Sequence, residues 1–322
     1  MSGIGATNEW VGALVRSMER RTGPLTGDRD WAVVKEWPSF SARFVLVESG
    51  ADRIALKLGT NWEGGAVTYV ADETSRVSKL MADLPSGRVA MPAVLGVASD
   101  PPAMALEYVD GTPLFDVLPT LEHREREAVL RLCGQAIGAF HAAEEIPDEP
   151  RIRSAASAEL FAAARRSLIR RETAARTEPA LARARSYRFS PNDFLVTEGQ
   201  GLVLLDPPHV QKFDYVHRDI ASFFMEMHRS LVGERRPVSS DESDSVRRAG
   251  DVFLDGYRET GLVALDRHED LWTIDLFQTA RVVGVARGRA RSGMLGPAWS
   301  ALAWAFWLRK GLSADEPSAG GK

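Results

Sequence analysis

A few side chains in this sequence stand where their type and setting allow chemistry. Lys57 sits in the apolar run Ile54-Ala55-Leu56-Lys57-Leu58, in a chain with only six Lys against 34 Arg. A lysine there either snorkels to solvent from an edge strand or holds an anion. Glu73 lies sixteen residues further on. Asp206 closes the run Val203-Leu204-Leu205 and precedes Pro207-Pro208, as a turn residue or as a carboxylate presented at a strand end. His209 and Asp214 follow closely enough to face the same place. Arg188 and Asp193 bracket the turn-like segment Phe189-Ser190-Pro191-Asn192. An arginine accepts no proton near neutral pH. Arg188 therefore anchors a carboxylate or phosphate, or pairs with Asp193 or Asp206.

The elements that must position these groups change character along the chain. A helix is expected over Glu9–Arg21, then a turn at Gly23-Pro24. Phe44–Val47 and Ile54–Leu58, separated by Ser49-Gly50-Ala51-Asp52, read as a hairpin. Val70, Val77, Leu80 and Met81 mark a helix within residues 66–83. Ala93–Val97 and Ala103–Tyr108 are further strands around the turn Ser99–Pro102. Beyond a hinge-like segment, Leu106–Leu114, the pattern turns helical: Leu121–His141, the Ala/Arg-rich stretch 154–184, and most of the chain from Ile220 onward, with a turn near Gly233–Ser243. Two short strands flank Thr197–Gln200. The expected division is 1–109, a strand-rich part with one helix beyond the N-terminal one; 110–312, a helical part; and a Ser/Gly/Pro-rich tail, 313–322, expected to be disordered.

Composition removes several function classes. The chain has 322 residues, enough for two lobes sharing a cleft. No apolar run reaches the roughly 18 residues of a membrane span, and no secretory signal pattern opens the sequence, so the cytoplasm is the expected location. A single cysteine, Cys133, excludes an internal disulfide framework and reads as a core residue. The net charge of −4 gives no pull toward nucleic acid. Ten arginines lie between Arg151 and Arg188, but without interleaved aromatics they form a solvated face or attract an acidic partner, not a nucleic acid.

Taken in order, these pieces resemble the aminoglycoside phosphotransferase family, within the protein-kinase-like fold. The resemblance rests on Lys57 in its strand, Glu73 in the next helix, the segment Glu107–Pro113, Ala136–His141, Ser186–Val196, Leu204-Leu205-Asp206 and Asp219-Ile220-Ala221-Ser222, over roughly residues 31–310. It implies an α+β, bilobal fold with an antiparallel-sheet N-terminal lobe and a mainly helical C-terminal lobe. It also implies roles: Lys57 on nucleotide phosphates with Glu73 pairing it, and Asp206 and the residue at Asp193 on a metal ion. Phosphoryl transfer in such a fold relies on positioning and charge neutralisation.

The sequence departs from that pattern where the catalytic base belongs. The family's His-Gly-Asp, four residues, Asn becomes Ser186-Tyr187-Arg188, Phe189 to Asn192, Asp193. The base position therefore holds Arg188 and the metal asparagine is Asp193; a frame shifted by one residue puts Asn192 at the metal position but leaves Tyr187 as the base, which is no better. Loss of a positioned base typically slows a reaction about 10²–10⁴-fold. The segment Pro38–Ala42, where a glycine-rich phosphate loop is expected, contains no glycine and includes bulky Phe40. His217-Arg218-Asp219 mimics a kinase triplet but has Phe224 where an asparagine is required, and Asp219 is expected to cap a helix starting at Ile220.

Three functions compete. The first is a kinase-fold protein without phosphotransfer, its cleft turned to a peptide or small molecule. Members lacking the aspartate resemble accessory proteins of lanthipeptide and thioamitide pathways, where thioether ring closure needs an acid and a base drawn from Arg188, Asp193, Asp206 and His209, and a partner biosynthetic enzyme is expected. This reading requires no cofactor. The second is an active small-molecule phosphotransferase using ATP and Mg²⁺ held by Lys57, Glu73, Asp193 and Asp206, with a shifted base, Asp193 or Asp214, reaching the acceptor hydroxyl. The third is a non-catalytic scaffold or binding module, with Arg188 and the Arg-rich stretch holding an acidic peptide. None calls for nucleic acid or membrane.

Overall fold

The computed structural model describes residues 4–22, 29–38, 42–59, 66–143, 183–185, 188–199, 201–205, 213–233, 240–261, 265, 269–294 and 301. The chain divides into two compact units: residues 1–111 with 195–210, and residues 112–194 with 211–322.

The first unit carries helix α1 (Ile4–Ser17), strands β1 (Glu19–Arg20), β2 (Ala32–Pro38), β3 (Ala42–Ser49) and β4 (Asp52–Gly59), helix α2 (Ala66–Ala82), and strands β5 (Val89–Ala90), β6 (Val94–Ser99) and β7 (Pro102–Glu107). Its antiparallel sheet runs in the order β1-β6-β7-β4-β3-β2. The hairpin of β3 and β4 closes from Ser49 to Asp52 through Gly50, whose φ of 64° suits glycine at the first central position of a tight turn. Alternation along β4 sends Ile54 and Leu56 to one face, against Val11, Leu14 and Val15 of α1. It sends Ala55 to the other, beside Val67, Val70 and Ala71 of α2. The expected helix 9–21 starts earlier and stops at Ser17, because Glu19 and Arg20 are drawn into pairing with Val97 and Gly96.

The second unit contains β8 (Thr112–Pro113), α3 (Leu114–Val117), α4 (His123–Ala143), β9 (Arg183–Arg185), a 3₁₀ turn (Pro191–Asp193), β12 (Phe213–Tyr215), α5 (Val216–Val232), α6 (Ser240–Thr260) and α7 (Glu269–Arg291). Back in the first unit, which takes up the chain again from Leu195, strands β10 (Phe194–Val196) and β11 (Leu202–Leu204) flank Thr197-Glu198-Gly199-Gln200 as expected, and β11 pairs in parallel with β5. Helix α4 reads as amphipathic, yet from Val129 to His141 nearly every residue is buried, Cys133 among them. Burial pushes the Cys133 thiol well above its usual pKa, which keeps it protonated and suits a packing role. Among the described residues no helix is long and apolar enough to cross a membrane. The expected turn at Gly23-Pro24, the Pro38–Ala42 loop apart from its ends, the helix expected over 154–184 apart from its end, and the tail lie outside the described residues.

Candidate functional site

In the first unit the chemistry centres on Lys57. It is not an edge-strand lysine: β4 lies inside the sheet, between β3 and β7, and Lys57 is only 1% exposed. Register aligns Phe44, Lys57 and Met104 in one row across three strands, on the face that α2 covers. The Lys57 Nζ lies 5.7 Å from the centroid of the Phe44 ring. Removing an ammonium from water is costly, so this burial needs compensation from partners. Glu73 belongs to the buried stripe of α2, with Val70, Thr74 and Val77. Its carboxylate receives both arms of Arg76, Nε to Oε2 at 3.1 Å and a terminal nitrogen to Oε1 at 2.7 Å. This fork was not foreseen, although Glu73 and Arg76 stand at the three-residue helical spacing where side chains meet.

In the second unit the loop before β10 holds Arg188 and Asp193. Ser190 caps the 3₁₀ turn: its hydroxyl accepts the Asn192 N–H at 3.2 Å, and Asp193 Oδ2 accepts the Ser190 N–H at 2.7 Å. One oxygen at the expected metal position thus serves the turn. Phe189 anchors the loop from below. Its buried ring meets Phe140 edge-on at 5.4 Å, Phe194 at 6.2 Å and His141 at 6.3 Å. With Phe189 pointing inward, Arg188 is turned out: it is exposed and takes φ 56°, the one positive φ of a non-glycine residue among those described. A side chain in that conformation costs about 1–2 kcal/mol. Arg188 makes no ion pair with any described residue, Asp193 included.

Beneath the loop runs a buried polar chain. Tyr257 of α6 lies 3.0 Å by its hydroxyl from His141 Nδ1, and His141 Nε2 lies 3.2 Å from Asp219 Oδ2. Glycines make this possible. A Cβ on Gly134 would fall 2.0 Å from the Phe253 carbonyl oxygen, and one on Gly256 would fall 2.1 Å from that of Arg131, so α4 and α6 touch backbone to backbone. The expectation for Asp219 is corrected here. Helix α5 begins at Val216, not Ile220, and Tyr215 at its N-cap makes no side-chain cap. The apolar stripe of Ile220, Phe223, Phe224 and Met227 extends back to Val216, so the helix gains a turn and Asp219 lies within it, 2% exposed. One turn on, Ser222 accepts a hydrogen bond from the Arg281 guanidinium of α7. Burial lowers the proton affinity of Arg281, Glu226 and Asp219 raise it, and Arg188 lowers it further.

Of the expected site residues, the structure thus places Lys57 and Glu73 against α2 and the sheet, and Arg188 and Asp193 on one short loop. Asp206 and His209 lie outside the described residues, and of Asp214 only the backbone, in β12, is described. Among the described residues no group of three His, Cys, Asp or Glu side chains gathers as metal ligands would. His141, Tyr257 and Arg281 were not foreseen as parts of this neighbourhood. Of the three, only His141 carried a sequence signal, since a histidine ends the apolar run Ala136–Phe140.

The comparisons with known proteins agree with this architecture. No curated protein matches the chain. Solved structures resemble it over nearly its full length, at identities that speak to fold alone. An assigned aminoglycoside phosphotransferase of Ralstonia eutropha is 12% identical with TM-score 0.59, covering 96% of this chain and 98% of its own. Choline kinase of Cryptosporidium parvum is 14% identical with TM-score 0.53, covering 96% and 98%. A choline/ethanolamine kinase family protein of Mesorhizobium loti is 13% identical with TM-score 0.50, covering 95% and 98%. The fold is the α+β, protein-kinase-like one, with an antiparallel sheet in the N-terminal part and helices in the C-terminal part. The model of the phosphotransferase enzyme family matches residues 39–222, more than half of the sequence, and the chain belongs to that family.

Proposed function

We propose that this protein is a member of the phosphotransferase family that no longer transfers phosphate and instead binds a peptide or small molecule, in a natural-product pathway of the ring-forming peptide type. One observation carries the reading: the residue standing where the family's proton acceptor belongs is Arg188, exposed and at φ 56°. A guanidinium takes no proton from a hydroxyl and reverses the local charge. In this reading the protein needs no nucleotide, and its substrate is held by the loop surface around Arg188 and Asp193.

A second reading, an ATP- and Mg²⁺-dependent phosphotransferase, draws support from Lys57. Its burial on an interior strand, on the face covered by α2, the helix that carries Glu73, is hard to explain by solubility or edge protection. Phosphoryl transfer also tolerates a missing base better than most reactions, because positioning does most of the work. The experiment is calorimetric titration with ATP, with and without Mg²⁺, on wild type and Lys57→Ala, followed by a phosphate-transfer assay against hydroxyl acceptors. The expected result is no transfer above the uncatalysed rate. Tight Mg²⁺-dependent binding abolished in Lys57→Ala, together with transfer to an acceptor, would establish the second reading and remove the first.

A further inference from the structure

Strand β2 stands at the end of its sheet, and no described strand lies beyond it. It is exposed where most of the sheet is packed: Val34 is 50% exposed and Trp37 is 37% exposed. Register sets Trp37 opposite Phe44 and Lys35 opposite Leu46. Both side chains therefore share the face that bears Lys57 and Met104. Helix α2 packs at the other end of that face, on Val94 and Val97 of β6 and on Met104 and Leu106 of β7.

Lys35 carries its ammonium 4.8 Å from the centroid of the Trp37 ring. Among the described residues no carboxylate pairs with that ammonium, and nothing accepts the indole N–H of Trp37. Glu36, on the opposite face with Val45, is already taken by the fork of Arg43. The edge thus presents a cation without a counter-charge, an unused donor and an exposed ring, all on one face.

A strand at the end of a sheet offers the backbone groups of its outer side to any extended chain. Three features of β2 guard such an edge: the bulge between Val33 and Lys35, the lysine itself, and Pro38, which has no N–H. They discriminate between partners. If two copies paired antiparallel across the middle of β2, Lys35 would face Lys35, and like charges directly opposite destabilise a sheet. An acidic strand meets the same lysine as its counter-charge.

We infer that the outer edge of β2, from Val34 to Trp37, receives an extended acidic segment of the peptide ligand as a further strand, with a carboxylate on Lys35 and an aromatic or apolar side chain on Trp37. The inference rests on the proposed function's reading of a peptide ligand and names that ligand's charge and conformation. Backbone pairing supplies affinity in such an arrangement, and alternate side chains supply selectivity.

The test is fluorescence anisotropy of three end-blocked, fluorescein-labelled heptapeptides titrated with the full chain. The first is Thr-Glu-Thr-Tyr-Thr-Glu-Thr, the second has Lys in place of Glu, and the third is the first N-methylated at its central residues, which removes main-chain donors. The acidic peptide should bind saturably and about tenfold or more tighter than the other two, the loss expected when a charged or backbone partner is removed. Lys35→Glu should reverse the preference between the acidic and the basic peptide, and Trp37→Ala should weaken the acidic one. Absence of saturable binding of the acidic peptide, equal binding of its N-methylated form, or an unchanged preference in Lys35→Glu would overturn the inference. A dimer in sedimentation that the acidic peptide disperses would give the edge to a second copy and overturn it too. Should Trp37→Ala fail to fold, Lys35→Glu, at an exposed position, decides the matter. No ATP is present, so phosphotransfer found in the earlier assay would remove the proposed function without touching this result, and a peptide that does not bind would leave the absence of a base as it stands.

Discussion

The surroundings of Lys57 and those of Arg188 make an instructive pair. Lys57 is 1% exposed in a cross-strand row between Phe44 and Met104, whereas Arg188 is exposed on a loop anchored by its neighbour Phe189. Packing fixes the first, so a change there disturbs a core. The second is exposed beside the anchoring ring of Phe189, so a change of charge there is expected to leave the fold intact. Function can be altered at the loop without rebuilding the unit beneath it, provided the support under the loop stays rigid.

That support can be broken first, and the effect should be the largest. Asp219→Ala leaves His141 buried opposite nothing while Tyr257 still holds its other nitrogen. Leaving a buried polar group without its partner typically costs about 1–3 kcal/mol, and more where the group is charged. Urea denaturation should show that loss, and the near-ultraviolet circular dichroism of the neighbouring aromatic rings should change. A loss under 1 kcal/mol would mean that the loop does not rely on this chain of contacts, and the comparison would lose its rigid base.

A smaller effect should follow from pH. His228 of α5 is buried, faces the Gln278 amide through Nδ1 at 2.6 Å, and burial lowers its pKa from 6.5 to about 3. Between those values the unfolded chain binds a proton that the folded protein refuses. Stability therefore rises with pH across that window and falls on acidification, by up to about 1.4 kcal/mol per pH unit. Denaturation at pH 7 and pH 5 should show wild type losing roughly 2 kcal/mol more than His228→Gln, which has no such proton to take up. Equal losses would mean that His228 titrates normally and that this end of the second unit is open to water.

Much of this was legible in the sequence, for physical reasons that also mark where legibility ended. The hairpin of β3 and β4 was readable because β-branched runs flank a Gly-containing turn. Helix α2 was readable because Val70, Val77 and Met81 keep a helical period. The start of α5 was misplaced by a turn, since His217-Arg218-Asp219 looks polar and the burial of those side chains depends on α4, about eighty residues away in sequence. The same dependence hid Tyr257 and Arg281. Neither lies in a motif, and each reaches the site only because glycines let α4 approach α6 or because Ser222 meets α7. The helix that carries Glu73 was readable from its period, but the fork of Glu73 with Arg76 was not, because a pairing three residues apart on a helix surface is common and carries no signature.

The Lys57 side of the comparison can be sharpened with two substitutions at one position. Lys57→Met keeps the length of the stem against Phe44 and Met104, whereas Lys57→Ala empties that space. Large-to-small changes in a core cost about 2–5 kcal/mol, and volume-conserving ones usually under about 1.5. Alanine should therefore be less stable than methionine by roughly 2 kcal/mol in thermal or urea unfolding. If methionine is as damaging as alanine, the charge of Lys57 itself supports the fold, and its burial no longer speaks for a ligand.

The smallest effect concerns Arg188 and runs the other way. Glycine accepts φ 56° without a steric penalty, so Arg188→Gly should relieve local strain and stabilise the folded protein by up to about 1 kcal/mol. Part of that gain is offset because a glycine loses more backbone freedom on folding, so Arg188→Ala is the proper reference. It deletes the same side chain and keeps the strain. Glycine should exceed alanine in stability, while both variants lose the guanidinium that the proposed function sets against the ligand. A protein made more stable and at the same time less able to bind would show that the arginine is kept at this exposed turn for what it holds, against the preference of the backbone. Equal stability of the two variants would mean that the loop relaxes around either side chain, and the contrast with the packed surroundings of Lys57 would then rest on exposure alone.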